Sequence, residues 1–114
     1  MSNSTTHPGL FFTIRNDCST AVKGFAVGDK LCLLSIGSAT FMRAIFQGNM
    51  EPGETRMGMA CAGDDGNGVV LFVPPVGVPA QAVQFTAKPN ETLSIPDSFC
   101  GASGGVHEEQ FKTA

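Results

Sequence analysis

The chain contains neither tryptophan nor tyrosine, and all nine of its aromatic residues are phenylalanine. Carbohydrate-binding and membrane-interface sites commonly use Trp or Tyr, because their rings join an apolar body to a polar tip. Phenylalanine suits a dry core instead. The composition therefore leaves any sugar-binding or lipid-binding site to polar loops.

Basic residues are scarce as well. Seven Lys and Arg stand against ten Asp and Glu, which gives a net charge of -3 over 114 residues. Nucleic acid is not an expected partner, because phosphate binding needs a dense basic surface. No apolar run approaches the roughly 20 residues that cross a bilayer as a helix, so we expect a chain that does not span a membrane.

Segments long enough for helices are almost missing, since 14 Gly and seven Pro interrupt the chain. A helical domain needs several uninterrupted segments of about 11 residues. One stretch without Gly or Pro exceeds ten residues, and it carries the turn-forming cluster Asn16-Asp17-Cys18-Ser19 in its middle. These interruptions exclude substantial helix.

Apolar residues between the interruptions alternate with period two, as strands with one buried face require. Leu10, Phe12 and Ile14, for example, point away from Phe11 and Thr13. The pattern predicts an all-β fold, a small antiparallel β-sandwich or flattened barrel of about eight short strands. The predicted strands are 10–16, 20–27, 31–36, 39–47, 54–61, 68–73, 81–87 and 91–95. We expect one β-sandwich domain at 10–100, between a flexible N-terminal segment at 1–9 and a C-terminal tail at 101–114.

Glycine and proline also predict the connections between strands. Gly28-Asp29 and Gly37-Ser38 fit tight hairpins, because Gly supplies a positive φ. Residues 48–53 and 63–68 are predicted to be longer loops. Pro52-Gly53-Glu54-Thr55 resembles Pro89-Asn90-Glu91-Thr92, which indicates one kind of turn used twice before a strand.

Four cysteines, Cys18, Cys32, Cys61 and Cys100, permit three two-disulfide pairings. Disulfides and buried free thiols both remain open, and the lack of a C-x-x-C pair argues against zinc. The first eight residues lack the basic start and apolar core of a secretory signal. The chain as written would therefore be cytoplasmic, but a secreted protein with a processed N-terminus would look the same, so the location is left unknown.

Catalytic groups are few. His7 and His107 both lie in expected termini, and no G-x-S-x-G motif is present. Cys100, Ser103 and His107 could form an unusual hydrolase site. We expect a protein that is not an enzyme, with no catalytic residues, metal or cofactor.

Polar loops and strands offer candidate ligand-binding residues. Asp64, Asp65 and Asn67 lie close together in the 63–68 loop and could supply oxygen ligands to calcium, although the loop lacks the spacing and the terminal Glu of an EF-hand. Arg43 and Arg56 lie on predicted strands and could form a shallow basic patch for an anionic sugar or a lipid headgroup. Solvated surface is the alternative in both cases.

The proline-rich segment 73–79 is the most distinctive surface candidate. Its backbone pairs poorly in a sheet, so its apolar side chains either cap the core, as a crossover between two sheets, or stay exposed for a partner. The candidate interaction residues are Pro74, Pro75, Val76 and Val78. Met57, Met59 and Cys61 share one strand face, and we expect them to pack in the core.

The segment Phe12-Thr13-Ile14-Arg15-Asn16-Asp17-Cys18, followed by Thr20-Ala21-Val22, resembles the F-x-I-x-N-x-C opening of thaumatin-like proteins. The resemblance covers under a fifth of the chain. It implies a β-sandwich with a role in host defence, where some members of that family bind glucans. The chain has fewer cysteines than that family and lacks its Trp and Tyr, and no cleft residue is carried over.

The leading hypothesis is a non-enzymatic protein of defence or surface recognition, which binds carbohydrate or a lipid headgroup through its loops. A second hypothesis is a self-associating assembly protein, in which the 73–79 loop or an open sheet edge packs against another copy. The third is the small hydrolase.

Overall fold

The computed structural model describes residues 9–105. Within that range the predicted all-β class is confirmed, since the regular structure consists of strands and one 3₁₀ turn at Asp97–Phe99. The described residues form seven strands, where about eight were predicted. They are β1 (Gly9–Arg15), β2 (Val22–Ile36), β3 (Ala39–Met50), β4 (Thr55–Cys61), β5 (Gly68–Val73), β6 (Val83–Ala87) and β7 (Thr92–Ser94).

The strands form two sheets that face each other. In the three-stranded sheet, β1 lies between β4, to which it is antiparallel, and β7, to which it is parallel. The other sheet has four antiparallel strands in the order β3-β2-β5-β6. One apolar core takes side chains from all seven strands, so the architecture is a β-sandwich.

Alternating side chains build this core. In β1, Leu10, Phe12 and Ile14 are buried, whereas Phe11 points outward. The four-stranded sheet contributes a row of phenylalanine rings whose neighbouring centroids lie 5.1 to 6.5 Å apart. These rings belong to Phe46, Phe25, Phe72 and Phe85. The tryptophan-free composition therefore fills a dry core, as expected.

Strand β2 differs most from the prediction. Residues 20–27 and 31–36 were expected to be two strands joined by a hairpin at Gly28-Asp29, but the chain continues as one 15-residue strand. The pairing with β3 shifts register on either side of Asp29, so bulges absorb the irregularity. The buried Asp29 carboxylate accepts the backbone N–H groups of Leu31 and Cys61, which stabilises the bulge instead of a turn.

Beyond Asp29, β2 no longer pairs with β5, and β3 is its one partner among residues 9–105. Residues 31–42 thus form a hairpin that projects from the sandwich, and we call this hairpin the arm. The predicted turn at Gly37-Ser38 closes the arm, with Gly37 in the left-handed region at φ +61°. The described chain is 47 Å long but only 17 Å thick.

Two matching turns lead into the strands on either side of β1. In the first, Glu54 donates its N–H to the carbonyl of Glu51 and accepts the Glu51 N–H with its carboxylate. In the second, Glu91 and Lys88 exchange the same two hydrogen bonds. The preceding residue is left-handed in both turns, Gly53 at φ +79° and Asn90 at φ +63°. The sequence repeat is therefore one turn used twice.

Two predicted connections are corrected. The loop expected at 48–53 is shorter, because β3 continues to Met50 and leaves only residues 51–54 between β3 and β4. The proline-rich segment is not a crossover between sheets, because it joins β5 to β6, which are neighbours in the same sheet.

The chain stays packed against the sandwich after Cys100. Lys23 donates its N–H to the carbonyl of Ala102 and accepts the N–H of Gly104. Gly24 permits this approach, since a Cβ at its φ of +86° would lie 2.0 Å from the Gly104 oxygen. Residues 101–105 of the predicted tail therefore pack against the sandwich, and β1 starts at residue 9, the last residue of the predicted N-terminal segment. The other residues of both segments lie outside the described range.

Two disulfides, Cys18–Cys100 and Cys32–Cys61, select one of the three pairings that the sequence left open. The first joins the loop after β1 to the residue that follows the 3₁₀ turn. The second joins the arm to the end of β4. All four sulfurs are therefore bonded, and the free-thiol alternative does not hold.

Candidate functional site

The acidic loop at 63–68 is closed by its own hydrogen bonds. Asp65 accepts the backbone N–H and the side-chain amide of Asn67, while Gly63 and Asn67 are joined through their backbones. Asp64 and Asp65 are exposed. The oxygens of Asp65 are thus used to shape the loop, and Asp64 is left as a single solvated carboxylate.

Arg43 is committed to a contact inside the protein. One of its guanidinium nitrogens donates to the Asp29 carboxylate at 2.9 Å and to the backbone carbonyl of Met59 at 2.8 Å. Asp29 is fully buried, and it accepts three N–H groups in total. Arg43 therefore pairs with the buried charge of Asp29. It also connects β3 to β4, which are edge strands of the two different sheets.

Arg56 also has a partner. Its guanidinium lies 5.9 Å from the centre of the Phe46 ring and contacts the Glu54 carboxylate at 2.6 Å. The pKa of Glu54 lies below its ordinary value, first because the Glu51 N–H donates to its carboxylate and second because of Arg56. Each predicted arginine thus has its own carboxylate, and the two do not form an uncommitted basic patch.

The proline-rich segment covers one end of the core. Pro74 and Pro75 are buried, and Val78 packs against the main core. Val76 is exposed, but its N–H donates to the carbonyl of Gly105. Of the four predicted interaction residues, Val76 is exposed, Val78 is half-buried and the two prolines are buried.

Of the proposed Cys100, Ser103 and His107 site, the described residues include Cys100 and Ser103. Cys100 is disulfide-bonded, which removes it as a nucleophile. Ser103 lies in a β-bridge with Lys23. His107, like His7, lies outside the described range.

Another serine does contact a carboxylate, on the outer face of the three-stranded sheet. The Ser94 hydroxyl donates to Asp17, and Arg15 binds the same carboxylate through two nitrogens. The pKa of Asp17 is lowered, first by the hydrogen bond from Arg15 and then by that from Ser94. A carboxylate stabilised in its charged form is a poor general base, so this cluster does not activate the serine.

One group of three potential metal ligands lies in the described part of the chain. The ligand atoms of Asp29, Cys32 and Cys61 are within 4.8 Å of one another. Both sulfurs belong to one disulfide, however, and the carboxylate is already surrounded by N–H donors. This group is a structural joint between the arm and the sandwich.

Met57 and Met59 are exposed, which corrects the expectation that they pack in the core. They lie opposite Thr13 and Phe11 of β1, on the outer face, while Gly58 and Ala60 point inward. A shallow depression on this face has a volume of about 90 Å³ and lies between β1, Met57 and Asn90. Small-molecule sites usually enclose roughly 300–1,000 Å³, so the depression admits no more than one small group.

The arm carries the other exposed apolar surface. Leu33 and Leu34 are each 51% exposed, and Ile36 is 66% exposed. No charged residue occurs between Lys30 and Arg43. From Leu33 to Ile36, β2 pairs with β3 on one side and with no described strand on the other. Apolar side chains and an open backbone edge thus occur together.

Sequence reasoning predicted the strands and the turn of the arm but missed its exposure. A signal was available, because twelve consecutive uncharged residues in an acidic chain include two strands and a tight turn. Whether a second sheet covers these strands depends on distant residues.

No helix in residues 9–105 is long and apolar enough to span a membrane. Comparisons of the chain with protein-family models, with curated proteins and with solved structures find no match. The resemblance to thaumatin-like proteins stays a prediction. The two strands that carry it, β1 and β2, lie in different sheets.

Proposed function

We propose that this protein is a non-enzymatic recognition protein that binds an extended polypeptide strand along its arm. The observation that carries the proposal is the open edge of β2 from Leu33 to Ile36, flanked by half-exposed apolar side chains. An added strand supplies backbone hydrogen bonds to such an edge and apolar contacts to its alternate side chains.

A strand suits this surface better than lipid or sugar does. Hydrocarbon cannot satisfy open backbone N–H and C=O groups, so a sheet edge is costly in a membrane core. The chain also lacks the Trp and Tyr that sugar sites commonly use, and the 63–68 loop is closed on itself. Recognition of carbohydrate or lipid headgroups, in defence or elsewhere, therefore has less support.

Two further features support a binding protein. The nucleophile candidate Cys100 is held in a disulfide, and Asp17 is a poor base for Ser94. Two disulfides are typical of proteins that work in an oxidising compartment. The hydrolase hypothesis now depends on Ser103 and His107, and unchanged activity in a His107→Ala variant would end it.

Fluorescence anisotropy with labelled extended peptides of alternating apolar residues tests the proposal. We expect saturable binding to the native chain and at least tenfold weaker binding to Leu34→Lys, which places a charge on the arm. Met57→Lys is the matched control, because it adds the same charge at an exposed apolar residue of the other sheet. Binding to glycans or liposomes that survives Leu34→Lys, or peptide binding equal in both variants, would overturn the proposal.

A further inference from the structure

We infer that the strand bound by the arm is the same arm of a second copy, so that two chains pair through their β2 edges about a two-fold axis. This inference rests on the proposed function and names its partner. It would join two hairpins into one four-stranded sheet in the order β3-β2-β2-β3.

The turn of the arm determines which backbone groups face outward. A two-residue turn closes on a hydrogen-bonded pair, here Ile36 and Ala39. Hydrogen-bonded and non-hydrogen-bonded pairs alternate along an antiparallel ladder, so Leu34 and Phe41 are also hydrogen-bonded. The N–H and C=O groups of Leu33 and Ser35 therefore point away from β3, toward the open side.

These outward groups match a second copy of themselves. In an antiparallel pairing centred on Leu34, Leu33 lies opposite Ser35 of the second copy, and Ser35 opposite Leu33 of the second copy. Each of these two pairs exchanges two backbone hydrogen bonds. Leu34 then faces Leu34 of the second copy, and Phe41 extends this apolar row at both ends, since Leu34 and Phe41 are already paired within each hairpin.

Charge also favours a second copy on this edge. Two chains with a net charge of -3 repel each other, but residues 31–42 carry no charge and can meet without placing like charges together. In this register the nearest charged residue, Lys30, falls opposite the turn residue Ser38 of the second copy. An unrelated strand would need an uncharged segment of its own, whereas a second copy always carries the same uncharged residues 31–42.

The other edge of the hairpin is less available, because β4 lies beside β3 near the base of the arm. Arg43 reaches the carbonyl of Met59, and Arg56 lies over the ring of Phe46. A Cβ on Gly58 would lie 2.9 Å from the side chain of Ile45, which shows how closely the two strands approach. The β2 edge has no such neighbour from Leu33 to Ile36 among the described strands.

The expected dimer is weak. Five paired residues per copy, 32–36, bury less than the roughly 1,200 Å² at which stable interfaces begin. Association should therefore be visible at high protein concentration and lost on dilution.

A Leu34→Cys variant tests the register. In the proposed pairing the two introduced cysteines are a non-hydrogen-bonded pair, with Cα atoms about 4.5 Å apart, which is within the range of a disulfide. We expect a disulfide-linked dimer on non-reducing gels, formed at least tenfold faster than in Leu33→Cys, whose new sulfur lies opposite Ser35 of the second copy. Mass spectrometry must show that both native disulfides are intact. Equal cross-linking rates in the two variants would overturn the register.

Sedimentation velocity over a concentration series tests the edge itself. Ser35→Pro removes an outward N–H and leaves the bonds between β2 and β3 in place, so we expect a dimer at least tenfold weaker, while Ser35→Ala dimerises like the native chain. A native chain that stays monomeric at the highest concentration overturns the inference. If that monomer still binds strand peptides through the arm, the proposed function stands; if it binds none, both fall.

Discussion

Strand β2 runs through two regions that differ in burial and in the number of neighbouring strands. From Val22 to Asp29 it lies inside the sandwich, beside β3 and, from Ala26 onward, also beside β5, and its apolar residues are fully buried. From Leu33 to Ile36 it has one neighbour among the described strands and is exposed. Both halves are rich in apolar residues, so burial of a strand depends on what lies opposite it and cannot be read from its own composition.

A polar joint connects the two regions. Asp29, Arg43 and the Cys32–Cys61 disulfide meet where β2 leaves β5. These contacts hold the arm to β4, and at the base of the arm Met42 packs in a small apolar cluster with Ala26 of β2 and Val73 of β5. The arm can therefore keep one orientation while its far end stays uncovered.

The largest effect should come from removing the disulfide of the sandwich. Cys18 and Cys100 are 82 residues apart, so Cys18→Ser/Cys100→Ser is expected to cost about 4–5 kcal/mol of unfolding free energy through loop entropy. The arm disulfide spans 29 residues, and Cys32→Ser/Cys61→Ser is expected to cost about 3–4 kcal/mol. Urea unfolding measures both, and a larger loss for the arm pair would contradict this order.

Truncating a core side chain should cost far more unfolding free energy than truncating a side chain of the arm. Phe72 is fully buried between two other rings, and Phe72→Ala is expected to destabilise the fold by about 3–5 kcal/mol. Leu34→Ala, on the exposed arm, should change the unfolding free energy of the monomer by less than about 0.5 kcal/mol. Thermal and urea unfolding at low protein concentration compare the two. Equal losses would mean that the arm is buried in the monomer.

Removing Asp29 from the polar joint should cost somewhat less unfolding free energy than removing the Phe72 ring from the core. Asp29→Ala removes a buried carboxylate that accepts three N–H groups and leaves Arg43 without its charge partner. Because Arg43 remains one-third exposed, we expect a loss of about 3 kcal/mol, the lower end of the range for removing one partner of a buried ion pair. Hydrogen exchange should also speed up in the arm more than in β1. Asp65→Ala is the control, since its carboxylate is exposed, and a similar loss there would count against the joint.

The smallest expected effect is on the stability of the fold at low pH. The pKa of Asp17 is lowered by Arg15 and Ser94, so its carboxylate stabilises the fold above the unfolded pKa of about 4. This contribution is lost as the pH falls from there through the lower folded pKa. Asp17→Asn should therefore lose less stability than the native chain below pH 4 in urea titrations. The arm has no titrating side chain, so its exchange pattern should not follow this change; parallel acid profiles of both proteins would refute the assignment.

Local chemistry predicted much of the sandwich. The alternation in β1 and the two Glu-capped turns depend on neighbouring residues, and both are found as expected. The error at Gly28-Asp29 has the opposite origin, because Asp29 accepts the N–H of Cys61, 32 residues away. Met57 and Met59 fit an inward or an outward face equally well until their register against β1 is known.

The candidate site followed the same division. Residues 63–68 were correctly predicted to be a loop. The proline-rich segment instead covers one end of the core, and Arg43 pairs with the buried Asp29 carboxylate. The arm was predicted as two strands and a turn, without its exposure.

The amino-acid sequence by itself determined the strand content and most of the turns, because backbone preference and side-chain alternation act over a few residues. Tertiary structure decided which strand faces were covered, how the cysteines paired and that the β2–β3 hairpin extends beyond the neighbouring strand β5. Those outcomes depend on contacts between residues far apart in the chain, and the energy of such a contact exists only once both partners are in place.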